Sequence, residues 1–282
     1  NLISQCLYNL RIYEQLKKIL IKFEPKSVAF TYEGYAYERL ICKLCKDLNI
    51  KSFGFQTSVI IPSSYSIFQN YKEEYNPDII FTPNKYYENI FKKKSNFKKT
   101  KIICLETRDL SKKNYHSSKK NNILVLPEGI PSECYTLFKF SYKLAQKNKN
   151  LRFIWRIHPV LEWKEVIEKL NVFNLPKNIK ISNSNLHKDI KKSKYCLYRG
   201  SGSVIEALNN NVLPIYLKSS KDIEKIDPLY QYNKNIIQTE KDFINLFNKY
   251  KNKKKYNNEL KKFKKFLNIF YEKTRSNNFK YF

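Results

Sequence analysis

The sequence predicts an α/β protein of two Rossmann-like domains that face each other across a cleft, with a C-terminal closing helix. Short β-branched and aromatic runs alternate with segments of helical periodicity, a pattern typical of parallel sheets with helical crossovers. The alternation stops once, at a polar stretch between about Arg108 and Asn122, and then restarts. With 282 residues, 42% of them hydrophobic, the chain is long enough to bury two such cores.

The first half contains four predicted strands and three predicted helices. Apolar residues at roughly helical spacing predict a helix over residues 1–23, and a second helix is expected over 36–48. The strands are predicted from the runs KSVAFTY, KSFGF, PDIIFT and KTKIICLE, and the third helix from PNKYYENIFKKK. We expect residues 1–110 to form the first domain and residues 111–121 to form a linker. The chain has no methionine, even at position 1, so we expect a fragment or a trimmed product whose first domain is truncated at its start.

The second half, residues 122–248, repeats the pattern as a second predicted domain. Its strands are predicted from NILVLP, LRFIWRI, NIKIS, YCLYR and VLPIYL, with helices over 130–146, WKEVIEKL, LHKDIKKS and the segment after Ser203. Beyond Lys241 the pattern predicts helix to the end, so residues 249–282 form a C-terminal helical segment. There Phe263, Phe266 and Phe270 lie on one apolar stripe with lysines opposite, which predicts a helix packed on the protein. A helix lying on a membrane surface is the alternative.

The net charge of +29 comes almost entirely from lysine, since the chain has only seven arginines. Nucleic-acid binders favour arginine for bidentate phosphate contacts, so nucleic acid is not the expected partner. The charge is better suited to an anionic substrate or to the anionic inner face of a membrane. No apolar run is long enough to span a bilayer, and no secretory signal is evident. Scattered cysteines favour a cytoplasmic protein, and the Cys42–Cys45 pair is interpreted as a helix face rather than a metal or redox site.

Five loops at the ends of predicted strands carry the candidate site residues. Ligands of parallel α/β sheets bind beyond the carboxyl ends of the strands, so these loops are where chemistry is expected. The candidates are Glu33 with Glu38; Gln56 with Ser58; Glu128 with Gly129; Arg156 with His158; and Arg199, Gly200, Ser201, Gly202 and Ser203, followed by Glu206.

The fifth loop, Arg199–Ser203, has the composition of a phosphate-binding loop. Glycines let a backbone approach a ligand closely, the serines supply hydroxyl donors, and the N-terminus of the following helix attracts anions. A competing interpretation needs no ligand, because Ser203-Val-Ile-Glu206 also fits the S-x-x-E capping box that closes a helix start.

His158 and Glu33 are the candidate catalytic residues. His158 ends a predicted buried strand and precedes a proline, with Arg156 close by, a context that suits a catalytic residue. The alternative interpretation is a histidine with a structural role only. Glu33 also ends an apolar strand. It is either an acid stabilised by the helix dipole or a general base.

Taken in order, four segments resemble motifs of the GT-B-fold glycosyltransferases of bacterial surface-carbohydrate synthesis, most closely the Kdo- and sialyltransferase-like group. YEGYAYERL resembles that group's acidic motif, with Tyr37 where tryptophan is commoner. GFQTSVI resembles its Gln-His-Ser segment, with Thr57 in place of histidine. RIHP resembles its His-Pro motif, and RGSGSVIEAL followed by LPIYL resembles its serine-rich phosphate loop. The resemblance spans about residues 25 to 217.

The resemblance implies an inverting, metal-independent transfer of a sugar from a nucleotide donor, possibly CMP-linked, to a surface-polysaccharide or lipopolysaccharide acceptor. The first domain would be the acceptor side and the second would bind the nucleotide sugar, with no cofactor. Glu33 would deprotonate the acceptor, His158 would face the leaving phosphate, and Glu206 would reach the nucleoside. Three alternatives remain open: a polyol-phosphate transferase of teichoic-acid type, a non-catalytic basic binding protein on the same scaffold, and a sugar-nucleotide epimerase.

Overall fold

The computed structural model describes residues 2–105, 121–171, 174–219, 222 and 226–272, and these form two compact units. One unit holds residues 2–60, 64–105 and 268–272, and the other holds residues 61–63 and 121–267. Each unit contains one parallel sheet with helices, which confirms the predicted α/β class. Apart from residue 121, the predicted linker lies outside the described residues, and so do residues 273–282. The predicted domain boundaries therefore stay a prediction.

The first unit is built on a four-stranded parallel sheet in the order β1-β2-β3-β4. Its elements are α1 (Leu2–Phe23), β1 (Ser27–Thr31), α2 (Ala36–Asp47), β2 (Lys51–Phe55), β3 (Ile79–Thr82), α3 (Lys85–Lys94) and β4 (Lys101–Cys104). Two short 3₁₀ turns, Ser66–Phe68 and Glu73–Tyr75, lie between β2 and β3. Cys42 and Cys45 are free thiols buried on α2, as expected of a helix face.

The second unit is built on a six-stranded parallel sheet in the order β10-β9-β8-β5-β6-β7. Its first elements are β5 (Asn122–Leu126), α4 (Pro131–Lys147), β6 (Arg152–Trp155), α5 (Trp163–Leu170), β7 (Ile179–Ile181) and α6 (Leu186–Lys191). They are followed by β8 (Ser193–Tyr198), α7 (Ser203–Asn209), β9 (Leu213–Leu217) and β10 (Ile236–Ile237). The two-residue strand β10 has no sequence signal of its own and was not predicted.

The core of the second unit explains why its central strands are continuous apolar runs. β5, β8 and β9 have neighbours on both sides and are covered on both faces, so nearly every side chain is buried. Trp155 of β6 packs against Phe138 of α4, with ring centroids 4.6 Å apart, and stacks on Trp163 of α5. Aromatic contacts of this kind fix the helices to the sheet and hold its strand ends in place.

The C-terminal segment differs from the prediction because it is three helices rather than one. They are α8 (Glu240–Lys249), α9 (Lys253–Lys262) and α10 (Lys264–Phe270). The Asn252 side chain caps α9 by accepting a bond from the Lys255 N–H, which breaks the helix after α8.

The phenylalanine stripe of this segment is buried, which confirms the packing prediction over the membrane-surface alternative. Phe266 contacts Tyr232 in the second unit, and Phe270 contacts Tyr86 and Tyr87 in the first. Within the residues that the structure describes, no helix combines the length and the apolarity needed to cross a membrane.

Candidate functional site

The ends of β5, β6 and β8 form the centre of the candidate site in the second unit. These strands are neighbours in the sheet, with Val125 paired to Trp155 and Leu126 paired to Tyr198, so the three following loops begin side by side. A Cβ placed on Gly129 would lie 3.0 Å from Nδ1 of His158. A Cβ placed on Gly200 would lie 2.7 Å from Cδ of Glu128. Three of the predicted loops are therefore in direct contact.

His158 is half-buried at the end of β6, with its ring against Gly129. Burial lowers the pKa of its imidazole, so the ring is neutral at pH 7. The Val160 N–H lies 3.4 Å from Nδ1, a long hydrogen bond that favours the tautomer with its proton on Nε2. Ile130 and Val160, exposed to 50% and 70%, add apolar surface next to this polar group.

The loop Arg199–Ser203 contains two serines and two glycines, one of which has a positive φ. Gly200 has φ +63°, and Ser201 is buried, with its N–H bonded to the Arg199 carbonyl at 2.6 Å. Only glycine enters this conformation at low cost, and here a side chain would also overlap Glu128.

The alternative interpretation of Ser203 as a capping-box residue is wrong. Gly202 is the N-cap of α7, no side chain caps this helix, and Ser203 is its first helical residue. The helix begins one residue earlier than a capping box at Ser203 requires, so the hydroxyl does not close the helix. Glu206 instead lies with Oε1 2.8 Å from Nδ1 of His187, an ion-pair distance.

Arg199 occupies a different environment from the one expected for a phosphate ligand. Its side chain is 1% exposed, and its guanidinium donates to Glu133 Oε2 at 2.5 Å, to Asp222 Oδ1 at 2.7 Å and to the Leu217 carbonyl at 2.8 Å. The charge is thus compensated inside the unit, where it ties the start of α4 and the end of β9 to the loop. Sequence reasoning missed Glu133 and Asp222 because they are distant along the chain.

Arg156 also has a structural role, because its side chain bonds to a neighbouring segment of the second unit rather than to the loop around His158. Its Nη1 donates to the Ser184 carbonyl at 2.5 Å and to Asp189 Oδ2 at 3.0 Å. These bonds fix the segment between β7 and α6.

Glu128 is an acidic residue that packs against Gly200 of the loop Arg199–Ser203. Its Oε2 is buried and receives no hydrogen bond from the part of the chain that the structure describes. Burial raises the pKa of this carboxyl, the nearby Glu133 raises it further, and Arg199 opposes both.

In the first unit, Glu33 follows β1, and hydrogen bonds hold one of its two carboxylate oxygens. Its Oε1 accepts bonds from the Ser58 N–H at 2.8 Å, the Thr57 N–H at 3.0 Å and the Thr57 hydroxyl at 3.2 Å. Its Oε2 accepts none within residues 2–105. The buried Gln56 sets this loop by donating to the Ser58 carbonyl. One carboxylate oxygen is thus available to a ligand while the other fixes the orientation.

Glu38 is a buried structural acid at the start of α2. Its Oε2 accepts bonds from the N–H groups of Glu33 and Tyr35, both at 2.8 Å. Burial raises its pKa, and the two backbone bonds act in the opposite direction. The residue therefore closes the turn that carries Glu33, through Gly34 at φ +82°.

Exposed tyrosines surround this turn, and sequence reasoning assigned them no role. Tyr35 is 56% exposed and stacks on Tyr37, with centroids 5.9 Å apart and planes 14° apart. Buried Arg39 bonds the carbonyls of Gly34 and Ser66, which holds the exposed Tyr65 beside the turn. The only signal in the sequence is the aromatic repetition in TYEGYAY.

The candidate residues thus form one group in each unit, Glu33 with Gln56 and Ser58 in the first, and Glu128, Gly129, His158 and the Arg199–Ser203 loop in the second. Across the described ranges no three His, Cys, Asp or Glu side chains are placed to hold a metal ion.

Neither a protein-family model nor a curated protein matches the chain. Solved structures do match. UDP-GlcNAc 2-epimerase from Neisseria meningitidis bound to UDP-GlcNAc is similar with TM-score 0.57 and 14% identity, over 89% of this chain and 75% of that one. Acinetobacter baumannii MurG matches with TM-score 0.54 and 11% identity, over 90% and 73%. Anabaena Alr3699/HepE in complex with UDP and glucose matches with TM-score 0.55 and 10% identity, over 93% and 77%. At these identities the likeness shows the fold, an α/β fold of GT-B type.

Proposed function

We propose that the protein is a glycosyltransferase that moves a sugar from a nucleotide-sugar donor to a surface-carbohydrate acceptor. One observation carries the proposal: His158, Gly129, Gly200 and Glu128 meet at the ends of three adjacent strands. In parallel α/β sheets this edge is where ligands bind. Two of the structures compared above support the donor class, because the Neisseria meningitidis epimerase is bound to UDP-GlcNAc and Anabaena Alr3699/HepE is in complex with UDP and glucose.

On the donor side, the hydroxyls of Ser201 and Ser203 would bind the phosphate of the leaving nucleotide. The neutral His158 would donate its Nε2 proton in a hydrogen bond to that phosphate as negative charge develops. Arg199 would act indirectly, by holding the loop through its bonds to Glu133 and Asp222. No metal is part of this proposal.

On the acceptor side, Glu33 would take the proton of the attacking hydroxyl on Oε2. Its other oxygen is fixed by the Thr57 and Ser58 amides, which would spare the reaction the cost of orienting the base. Direct attack assisted by one carboxylate implies inversion at the sugar carbon. The exposed face of Tyr35 would support a sugar ring of the acceptor.

A donor screen tests this proposal. Thermal unfolding is followed with UDP, CMP, GDP and CDP and their sugar conjugates, because a ligand that binds only the native state raises its stability. Conjugates that stabilise the protein are then incubated with glycan acceptors, and transfer is followed by mass spectrometry. We expect one base to be preferred and the sugar to be transferred. Stabilisation by none of these compounds would contradict the donor class.

A sugar-nucleotide epimerase is the second candidate. Besides the Neisseria meningitidis enzyme, the similar solved structures include two more described as UDP-GlcNAc 2-epimerases and the S. aureus MnaA–UDP co-structure. Product analysis without an acceptor separates the two. An epimerase converts the donor sugar by itself, whereas a transferase leaves it intact or hydrolyses it slowly.

A further inference from the structure

We propose that Glu128 couples nucleotide binding to the uptake of one proton, so that its carboxyl is neutral whenever a phosphate group occupies the loop at Gly200. The inference deepens the proposed function and rests on it, since it assumes that the donor phosphate binds at this loop.

The geometry places the carboxyl directly against the loop. Glu128 follows β5 and Gly200 follows β8, and these strands are paired at Leu126 and Tyr198. A Cβ at Gly200 would overlap Oε2 of Glu128 and lie 2.7 Å from its Cδ. The lack of a side chain at Gly200 therefore leaves room for this carboxyl beside the loop.

The charges around Glu128 leave its negative charge uncompensated. Among the described residues, the charged groups that act on Glu128 are Glu133 of α4, which repels it, and Arg199 at the end of β8, which attracts it. Arg199 is already bonded to Glu133 and to Asp222, so its charge is shared with two other carboxylates. Burial lowers the pKa of His158, at the end of β6, which disfavours a compensating positive charge there. Oε2 is buried and accepts no bond from the described side chains or backbone, so in the ionised form this oxygen has neither a protein partner there nor contact with solvent.

A phosphate at this loop would be repelled by an ionised Glu128. An approaching anion makes the charged form of a carboxylate less favourable, as burial and Glu133 already do. By linkage, protonation of Glu128 must then strengthen binding by the factor that binding strengthens protonation. The proton comes from buffer and forms an O–H bond on the carboxylate, with no other bond made or broken. The neutral acid removes the repulsion and becomes a hydrogen-bond donor.

Isothermal titration with UDP-N-acetylglucosamine tests the coupling, because its diphosphate diester has no proton to gain or lose near neutral pH. Titrations run between about pH 5.5 and 8.5 in buffers of different ionisation enthalpy, which reports protons exchanged on binding. We expect uptake of up to one proton, and affinity that falls by up to tenfold for each pH unit at the alkaline end. If the donor screen shows a preference for CMP over UDP, CMP-N-acetylneuraminic acid is titrated in place of UDP-N-acetylglucosamine.

Glu128→Gln is the matched variant, and Glu168→Gln on the exposed surface of α5 is its control. We expect Glu128→Gln to abolish proton uptake, to flatten the pH profile and to bind at least as tightly as the native protein at alkaline pH. The control should behave as the native protein does.

Two results would overturn the inference: binding by the native protein without proton uptake, or an unchanged pH profile in Glu128→Gln. The first result is measured on the native protein, so the inference can still be rejected if Glu128→Gln misfolds. Failure of every nucleotide sugar of the donor screen to bind would instead remove the proposed function, and the inference with it. Transfer activity without proton coupling would leave the proposed function intact and reject only the role of Glu128.

Discussion

The Ser58 N–H donates a 2.8 Å hydrogen bond to Oε1 of Glu33, across 25 residues of sequence. Together with the Thr57 amide it fixes one oxygen of the carboxylate, while Oε2 accepts no bond from the described first unit. A general base needs this division, because a carboxylate whose orientation is set in advance does not lose rotational freedom in the reaction.

Replacing Glu33 with Gln is expected to abolish sugar transfer and to leave donor binding unchanged. The amide oxygen can still accept the Thr57 and Ser58 bonds, so the fold is kept, but the side chain cannot take a proton. Loss of a general base typically lowers a rate by about 10²- to 10⁴-fold. Transfer rates and donor Kd values are compared with Glu14→Gln, an exposed acid of α1 in the same unit. Weakened donor binding with unchanged turnover would contradict the assignment.

Replacing Ser203 with Ala is expected to weaken nucleotide binding without lowering stability. Ser203 is not a cap, so its hydroxyl contributes nothing to the helix start. A lost hydrogen bond to a charged phosphate costs about 1.5 to 3 kcal/mol, which is a tenfold or larger rise in Kd. The midpoint of thermal unfolding and the Kd for the preferred nucleotide check both parts. A drop in the unfolding midpoint with unchanged Kd would restore the structural interpretation.

The sequence was sufficient for the order of strands and helices, because buried parallel strands are continuous apolar runs and amphipathic helices have their own period. It was also sufficient to select the loops that meet at Gly129 and Gly200, since strand ends of one sheet share an edge. The sequence does not reveal which side chains bond to each other when they are distant along the chain. Nothing in the spacing of Arg199, Glu133 and Asp222 indicates a buried ion-pair cluster, and β10 is too short for a pattern.

Replacing Gly200 with Ala is expected to destabilise the second unit through two separable costs. The positive φ costs a residue with a Cβ about 1 to 2 kcal/mol, and the overlap with the Glu128 carboxyl adds to it. Glu128→Ala removes the overlap but leaves the backbone strain. Chemical denaturation of the two single variants and the double variant measures the coupling. The double variant should be more stable than the sum of the single changes predicts, and strict additivity would mean that the two residues do not meet.

Asp227 is expected to make the stability of the protein fall as pH rises. Its Oδ1 accepts bonds from the Tyr198 hydroxyl at 2.6 Å and the Leu229 N–H at 2.8 Å, whereas Oδ2 is buried and receives none from the described residues. Burial raises its pKa from 3.8 to about 6, against the effect of the Tyr198 bond. The folded state therefore favours the protonated acid, and the stability present below pH 3.8 is lost as pH rises through about 6.

Asp227→Asn tests this because the amide cannot ionise. Between about pH 4 and 7, the free energy of unfolding of the native protein should fall relative to that of Asp227→Asn by about 2 kcal/mol. Urea denaturation at several pH values measures it, with Asp47→Asn as a control at a partly exposed acid. Parallel stability curves for the native protein and Asp227→Asn would show that Asp227 stays ionised.

Replacing Tyr35 with Ala is expected to raise the KM for the acceptor and to leave the KM for the donor unchanged. The Tyr35 and Glu33 amides both bind Oε2 of Glu38, so the exposed ring begins beside the candidate base. Tyr37 stacks on one side of it, which leaves the other face as a platform for the apolar C–H face of a sugar ring. A stacking contact of about 1 kcal/mol corresponds to roughly a fivefold change in KM.

Two variants serve as controls for Tyr35→Ala. Tyr35→Phe keeps the ring and should keep the KM for the acceptor. Phe23→Ala removes a ring that is 69% exposed on α1 and should have no effect. If Tyr35→Ala lowered kcat alone, the ring would orient Glu33 rather than bind the acceptor, and the platform would be wrong even if transfer were confirmed.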